Sequence, residues 1–204
     1  MNLAAFTSDR LIRTALIQDL QRIHESDPEA KIVQELGITH GAARIDIAVI
    51  DGSIHGYELK SDMDTLRRLP GQMGIYNSVL DEMTLVVGKS HLRDAINLVP
   101  EWWGIVMAKV AESTGAIVLH TIREAEENPQ RDSAAIASLL WRDEALHLLE
   151  EVGAAEGMKS KTRRVLYEKL ASVLDQDTLR LRVRKCLFSR VGWRSAQPHM
   201  QYDG

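Results

Sequence analysis

The stretch from 44 to 60, RIDIAVIDGSIHGYELK, constrains this chain more than any other. Two runs rich in Ile and Val flank Asp51-Gly52, a strong local signal for a β-hairpin. Three charged residues interrupt those runs: Asp46 in the first strand, and Glu58 and Lys60 in the second. A charge in a half-buried strand costs free energy unless it is paired or bound to something, so these positions point to a site as well as a fold.

Register sharpens the point. A loop of Asp51-Gly52 alone would set Asp46 opposite Tyr57 and send Glu58 to the other face of the sheet. A three-residue loop, Asp51 to Ser53, sets Asp46 opposite Glu58, Ala48 opposite Gly56 and Ile50 opposite Ile54. The second register is preferred. It gathers Asp46, Glu58 and Lys60 around two small residues and leaves Ile45, Ile47, Val49, Tyr57 and Leu59 to face a core. Two carboxylates a few ångströms apart repel each other in a dry site, and a bound divalent cation is the usual remedy. The plainer alternative is a solvated strand edge, since Glu-x-Lys is common in a chain that is 26% charged.

A chain of 204 residues with 45% hydrophobic content can bury a core of ordinary size plus an appendage. Its single cysteine, Cys186, rules out an internal disulfide framework and fits a reducing compartment. The N-terminus lacks a basic leader followed by a long apolar stretch, and no run approaches membrane-spanning length. The expectation is a cytoplasmic protein with no membrane partner. The net charge of −4 is unevenly placed. Between Lys159 and Arg194 there are 11 Lys and Arg against 3 Asp and Glu, so that end is strongly basic and the remainder acidic. A basic end suits a phosphate backbone, although lysines and arginines on a solvated helix surface read the same way.

The periodicities predict an amphipathic helix from a Ser8 or Thr7 cap to about His24, then a strand at 31 to 38 and the hairpin. Glu35 on that first strand is either a third acidic group near the cation or a strand-edge charge. A polar loop carrying Arg67 and Arg68 leads to a helix from about Gly71 to Leu80, with Gln72 and Tyr76 four residues apart on one face. MTLVVG at 83 to 88 has the continuous β-branched character of a buried strand. A helix at 89 to 98 and strands at 104 to 110 and 116 to 122 complete an α/β sandwich on a mixed sheet, residues 1 to 124. Trp102-Trp103 could stack on a base or close the core. After a polar linker, residues 132 to 194 form a basic helical region: one helix from Ser133 to Glu151, a second through Leu174, and a third at 178 to 188. The third is ambiguous, because Arg180, Arg182 and Arg184 alternate with apolar residues as in a strand; its i, i+4 spacing favours a helix. Residues 195 to 204 read as a flexible tail. His40 and His55 have no metal-ligand spacing and are left out of the site.

Asp46, Glu58-x-Lys60 and Gln72-x-x-x-Tyr76 together resemble the PD-(D/E)XK nuclease superfamily, in particular its RecB-like branch with the Q-x-x-x-Y helix. Ile45 stands where the proline of that motif would be. RIDIAVI, HGYELKSDMDTLRRLPGQ, PEWWG and LLWRDE look like a bacterial family of unassigned function within it. The resemblance implies a restriction-endonuclease-like core with a C-terminal helical extension, and Mg²⁺-dependent cleavage of DNA in repair or mobile-element defence. Asp46, Glu58 and the backbone carbonyl of Leu59 would hold Mg²⁺, with Mn²⁺ as a substitute. Lys60 would orient the attacking water or stabilise the growing charge, and Gln72 and Tyr76 would position Lys60 or a phosphate. Arg67, Arg68 and Lys89, together with Arg180, Arg182 and Arg184, are the expected DNA contacts. Two alternatives stay open: an accessory module that binds DNA without cutting it, and a protein-docking surface on the last helices. Oligomeric state is not legible, a homodimer being one option.

Overall fold

A computed structural model of the protein describes residues 6–190; the end of the basic region, 191–194, and the expected tail, 195–204, lie outside the described residues. Helix α1 (Asp9–Ile23) buries Ile12, Leu16 and Leu20, the stripe expected of a helix lying on a sheet. Ser8 occupies the cap position without a side-chain capping bond, because the neighbouring Thr7 is drawn to Asp62 instead. Six strands follow, β1 (Lys31–Ile38), β2 (Ala43–Ile50), β3 (Ile54–Lys60), β4 (Glu82–Gly88), β5 (Gly104–Val110) and β6 (Ile117–Arg123). They form one mixed sheet in sequence order. β3, β4 and β5 run parallel, and the remaining pairs are antiparallel. Parallel neighbours need crossovers, which helices α2 (Leu69–Val79) and α3 (Leu92–Leu98) supply. A 3₁₀ turn precedes each of them, Leu66–Arg68 and Lys89–His91 respectively.

The hairpin adopts the three-residue loop. Ala48 pairs with Gly56 and Ile50 with Ile54, while the Asp51 carboxylate accepts the Ser53 N–H at 2.8 Å and closes the turn. Gly56 is required by packing: a Cβ there would lie 2.7 Å from Leu80 Cδ1 and 2.8 Å from Met83 Sδ. One expectation about faces is corrected. Ile45 packs with Ala48 and Ile50, not with Ile47, Val49 and Leu59. The change falls at one step of the β1–β2 ladder, where Glu35 has φ +57° and Gln34 pairs with Ile47 and Leu36 with Ile45 but Glu35 and Asp46 are left unpaired. Register is kept across that step, and the alternation slips by one residue on both strands.

The expected helix from Ser133 to Glu151 is two helices, α4 (Ser133–Ala137) and α5 (Arg142–Glu151). Local hydrogen bonds outcompete its continuation: the Ser138 hydroxyl donates to Ala135 O at 2.6 Å, and Glu144 accepts the Trp141 N–H at 2.7 Å to start a new helix. Helices α6 (Arg163–Val173) and α7 (Gln176–Ser189) follow, so the ambiguous arginine-rich stretch is helical. Among the described residues α1 covers one face of the sheet, with Ile47, Val49, Leu59 and Val86 beneath it. The other face shares a continuous core with α2, α3 and α4 to α7, including Tyr76, Leu166, Leu179 and Leu187. Trp102 and Trp103 are both buried in that core, where Trp103 Nε1 donates to Asn77 Oδ1 at 2.9 Å, so neither is available to stack on a base. No helix among the described residues is long and apolar enough to cross a membrane.

Candidate active site

Beyond the Ile47–Tyr57 pair the β2–β3 ladder changes character. The Leu59 N–H donates to the side chain of Asp46, at 2.8 Å from Oδ2, instead of to a backbone carbonyl. A carboxylate thus stands in the seam of the sheet, between its two layers. Its other oxygen, Oδ1, accepts from Arg13 Nη2 at 2.8 Å, and Arg13 Nη1 donates to the Asp46 carbonyl oxygen at 3.0 Å. Arg13 comes from α1, on which Asp9 steadies it from one turn earlier at 3.2 Å. Glu35 pairs with Arg13 at 3.0 Å and with Arg44 at 2.9 Å, so both of its oxygens are taken up by arginines.

Glu58, next to this pair on β3, is 2% exposed. Its Oε1 accepts from Lys60 Nζ at 2.5 Å and from Gln72 Nε2 at 3.3 Å, and its Oε2 lies 2.8 Å from the Tyr76 hydroxyl. Burial pushes the Glu58 carboxyl above its ordinary range, the neighbouring Asp46 charge adds to this, and Lys60 and Tyr76 oppose it without cancelling it. Tyr76 is fully buried and shares its proton between Glu58 and the Arg44 carbonyl oxygen at 2.9 Å; burial and the Glu58 charge both raise its pKa. Gln72 Nε2 donates to the Tyr76 oxygen at 3.0 Å. Gln72 and Tyr76 are therefore brought to Glu58, not to Lys60, and a fully buried Tyr76 is not placed to meet a phosphate.

One atom of the cluster lacks a partner: Gln72 Oε1 is buried with no hydrogen bond. A buried acceptor without a donor, beside a carboxylate already crowded by another, is suited to a cation or to water ordered by one. Asp46 and Glu58 therefore fit a Mg²⁺ ion, which is usually held by one or two carboxylates together with waters and substrate oxygens. Among the described residues no group of three or more His, Cys, Asp or Glu converges as a metal cage, so these two carboxylates would carry the protein's share of the ligation.

Arg67, Arg68 and Lys89 are exposed, on the turns that lead from β3 and β4. They lie at the same edge of the sheet as Lys60, which pairs in register with Val87 near the end of β4. The α7 arginines are placed differently. Arg180 donates to the buried Asp81 at 2.7 Å, Arg182 pairs with Glu151 at 3.3 Å, and Arg184 lines a cleft with Glu29 and Asp51. A two-residue step on a helix turns a side chain by about 200°, so Arg182 faces away from Arg180 and Arg184, which stand four residues apart on one side of α7. Of the histidines, His55 sits against Thr84 at 2.8 Å and stacks on Tyr57, burial holding it down at about 4. His40 stacks on Tyr167.

Two residues of the site region have no signal in the sequence. One is Arg13, an ordinary member of a helix surface until the helix docks. The other is Asp62, whose two oxygens accept from the N–H and hydroxyl groups of Thr7 and Ser90 at 2.7 to 2.9 Å, tying the loop after β3 to the N-terminus and to the end of β4. Burial would raise the Asp62 carboxyl, yet those four donors hold it down at about 2. A Cβ on Gly88 would meet Asp62 Oδ1 at 2.5 Å, which explains the glycine that ends β4.

The chain is similar to a solved structure described as the SPO1766 protein of unknown function from Silicibacter pomeroyi, at 18% identity and a TM-score of 0.41, over 74% of this chain and 92% of that one. It is 25% identical over 152 residues to protein cII of Enterobacteria phage P4, an alignment that covers 74% of this chain but only 56% of the phage protein. The model of the family described as bacteriophage P4 protein cII matches residues 5–198, and the chain belongs to that family.

Proposed function

We propose that this protein is a Mg²⁺-dependent nuclease of the PD-(D/E)XK type, built on a restriction-endonuclease-like core and hydrolysing phosphodiester bonds of DNA. The observation that carries the reading is the carboxylate pair at the open end of the hairpin. Asp46 is drawn into the seam of the sheet by the Leu59 N–H, and the buried Glu58 sits beside it with Lys60 Nζ at 2.5 Å and an unpartnered Gln72 oxygen nearby. A bound Mg²⁺ supplies Lewis acidity toward a phosphate oxygen and lowers the pKa of water. Asp46 and Glu58 are the ligands. Tyr76 and Gln72 keep Glu58 in one rotamer, so little reorganisation is needed when substrate binds. Lys60 orients the attacking water with its ammonium or donates to the phosphate as charge grows there. Arg67, Arg68 and Lys89 contact the backbone on either side of the scissile phosphate.

A second reading, a DNA-binding accessory module without cleavage, is favoured by one observation: both oxygens of Asp46 already have protein donors, so the cluster is partly self-sufficient. Incubating linear, circular, single-stranded and branched DNA with Mg²⁺ or Mn²⁺ against EDTA separates the two. The expected result is metal-dependent cleavage that Lys60→Ala lowers by at least about a hundredfold. Replacing Arg67, Arg68 and Lys89 by Ala should flatten the dependence of log Kd on log salt by about two to three units. Binding without cleavage across the panel would establish the accessory module.

A further inference from the structure

We propose that Arg13 is a resident counter-cation for Asp46 and that a divalent ion must bind against its charge, so that this arginine sets the metal affinity of the site. The inference rests on the reading of Asp46 and Glu58 as metal ligands. Four carboxylates gather at the open end of the hairpin, those of Asp9, Glu35, Asp46 and Glu58, and three cations face them, Arg13, Arg44 and Lys60. Arg13 stands at the centre and touches three of the four acids, at 3.2 Å from Asp9, 3.0 Å from Glu35 and 2.8 Å from Asp46.

Its side chain is only 19% exposed, so solvent screens its charge weakly. Its guanidinium stays charged when a second cation approaches. The strained conformation of Glu35, in the left-handed region at φ +57°, sits at this same step of the sheet and helps hold the guanidinium there. Each Asp46 oxygen keeps a free lone pair after accepting from Arg13 or Leu59, so a metal can be ligated without dismantling the pair. A metal held there by Asp46 would face the fixed positive charge of Arg13, which lies 2.8 Å from the Asp46 carboxylate. Arg13 in this way stabilises the metal-free site and weakens the metal-bound one, a role distinct from ligating metal or gripping DNA.

Calorimetric titration of Mn²⁺ into the full protein without DNA, beside Arg13→Gln and Arg13→Lys, tests this. Arg13→Gln, uncharged but still able to donate to Asp46, should bind Mn²⁺ at least about tenfold more tightly than the unmodified protein, while the charge-conserving Arg13→Lys stays within about twofold. Should the glutamine variant fail to fold, the Arg13 Nε–H resonance of the unmodified protein decides by NMR: it should shift on addition of Mg²⁺ in step with binding. Equal or weaker Mn²⁺ binding by Arg13→Gln, or a resonance that stays fixed while metal binds, overturns the counter-cation role and leaves the metal site standing. Absence of metal binding by every protein overturns the metal reading itself, and this inference with it.

Discussion

Two of the buried charge clusters among the described residues differ in how far they satisfy themselves. At the base of β4, Asp81 is 3% exposed and accepts the Ile54 N–H at 2.8 Å through one oxygen and Arg180 at 2.7 Å through the other, with Arg131 at 3.5 Å. Glu127 and Asp177 complete the charges of those arginines, and only Arg131 Nε is left without an acceptor. Each carboxylate there faces a cation. At the open end of the hairpin, Glu58 is equally buried but stands beside a second carboxylate, is held above its ordinary pKa, and has an unpartnered acceptor next to it. Burial of charge does not by itself mark a functional site. Like charges side by side, with acceptors in excess of donors, do so better.

The contrast can be tested by breaking each cluster in turn. Asp81→Asn should cause the largest loss, about 3 kcal/mol in urea unfolding, because it strands two largely buried arginines; a loss below about 1 kcal/mol would mean the Asp81 network is no more structural than the hairpin. Glu58→Gln should act in the opposite sense in EDTA. Folded Glu58 holds its proton to higher pH than the unfolded chain does, so the unmodified protein binds more protons when folded and loses stability as pH rises from about 4.5 through the raised value. The melting temperature of the variant relative to the unmodified protein should therefore climb across that range; a flat difference would deny that burial, with the Asp46 charge adding to it, raises the Glu58 carboxyl. Smallest of all is Arg182→Ala. Its partner Glu151 is as exposed as it is, and the expected change is under about 0.5 kcal/mol by the same unfolding measurement.

Much of the architecture was legible because it is written in short periods. The alternating runs mark the strands, Ala48 against Gly56 and Ile50 against Ile54 select the hairpin loop, and the i, i+4 spacing of Gln72 and Tyr76 puts both on one side of α2. The break between α4 and α5 was missed because two side chains, Ser138 and Glu144, decide it by hydrogen-bonding locally, and their apolar neighbours keep helical spacing throughout. Arg180 reads in the sequence as a DNA contact because nothing in α7 reveals that Asp81, 99 residues away in sequence, lies beneath it.

The sequence by itself determined the strands, most of the helices and the placing of Asp46, Glu58 and Lys60 at one end of a hairpin, since backbone geometry fixes periods of 2 and 3.6 residues wherever they occur. Only the tertiary structure decided which charges pair. Arg13 reaches Asp46 across 33 residues of chain, and Glu35 meets Arg13 from a left-handed backbone conformation. Ion-pair partners are chosen by how elements dock, through contacts of a few ångströms that leave no periodic trace along the chain.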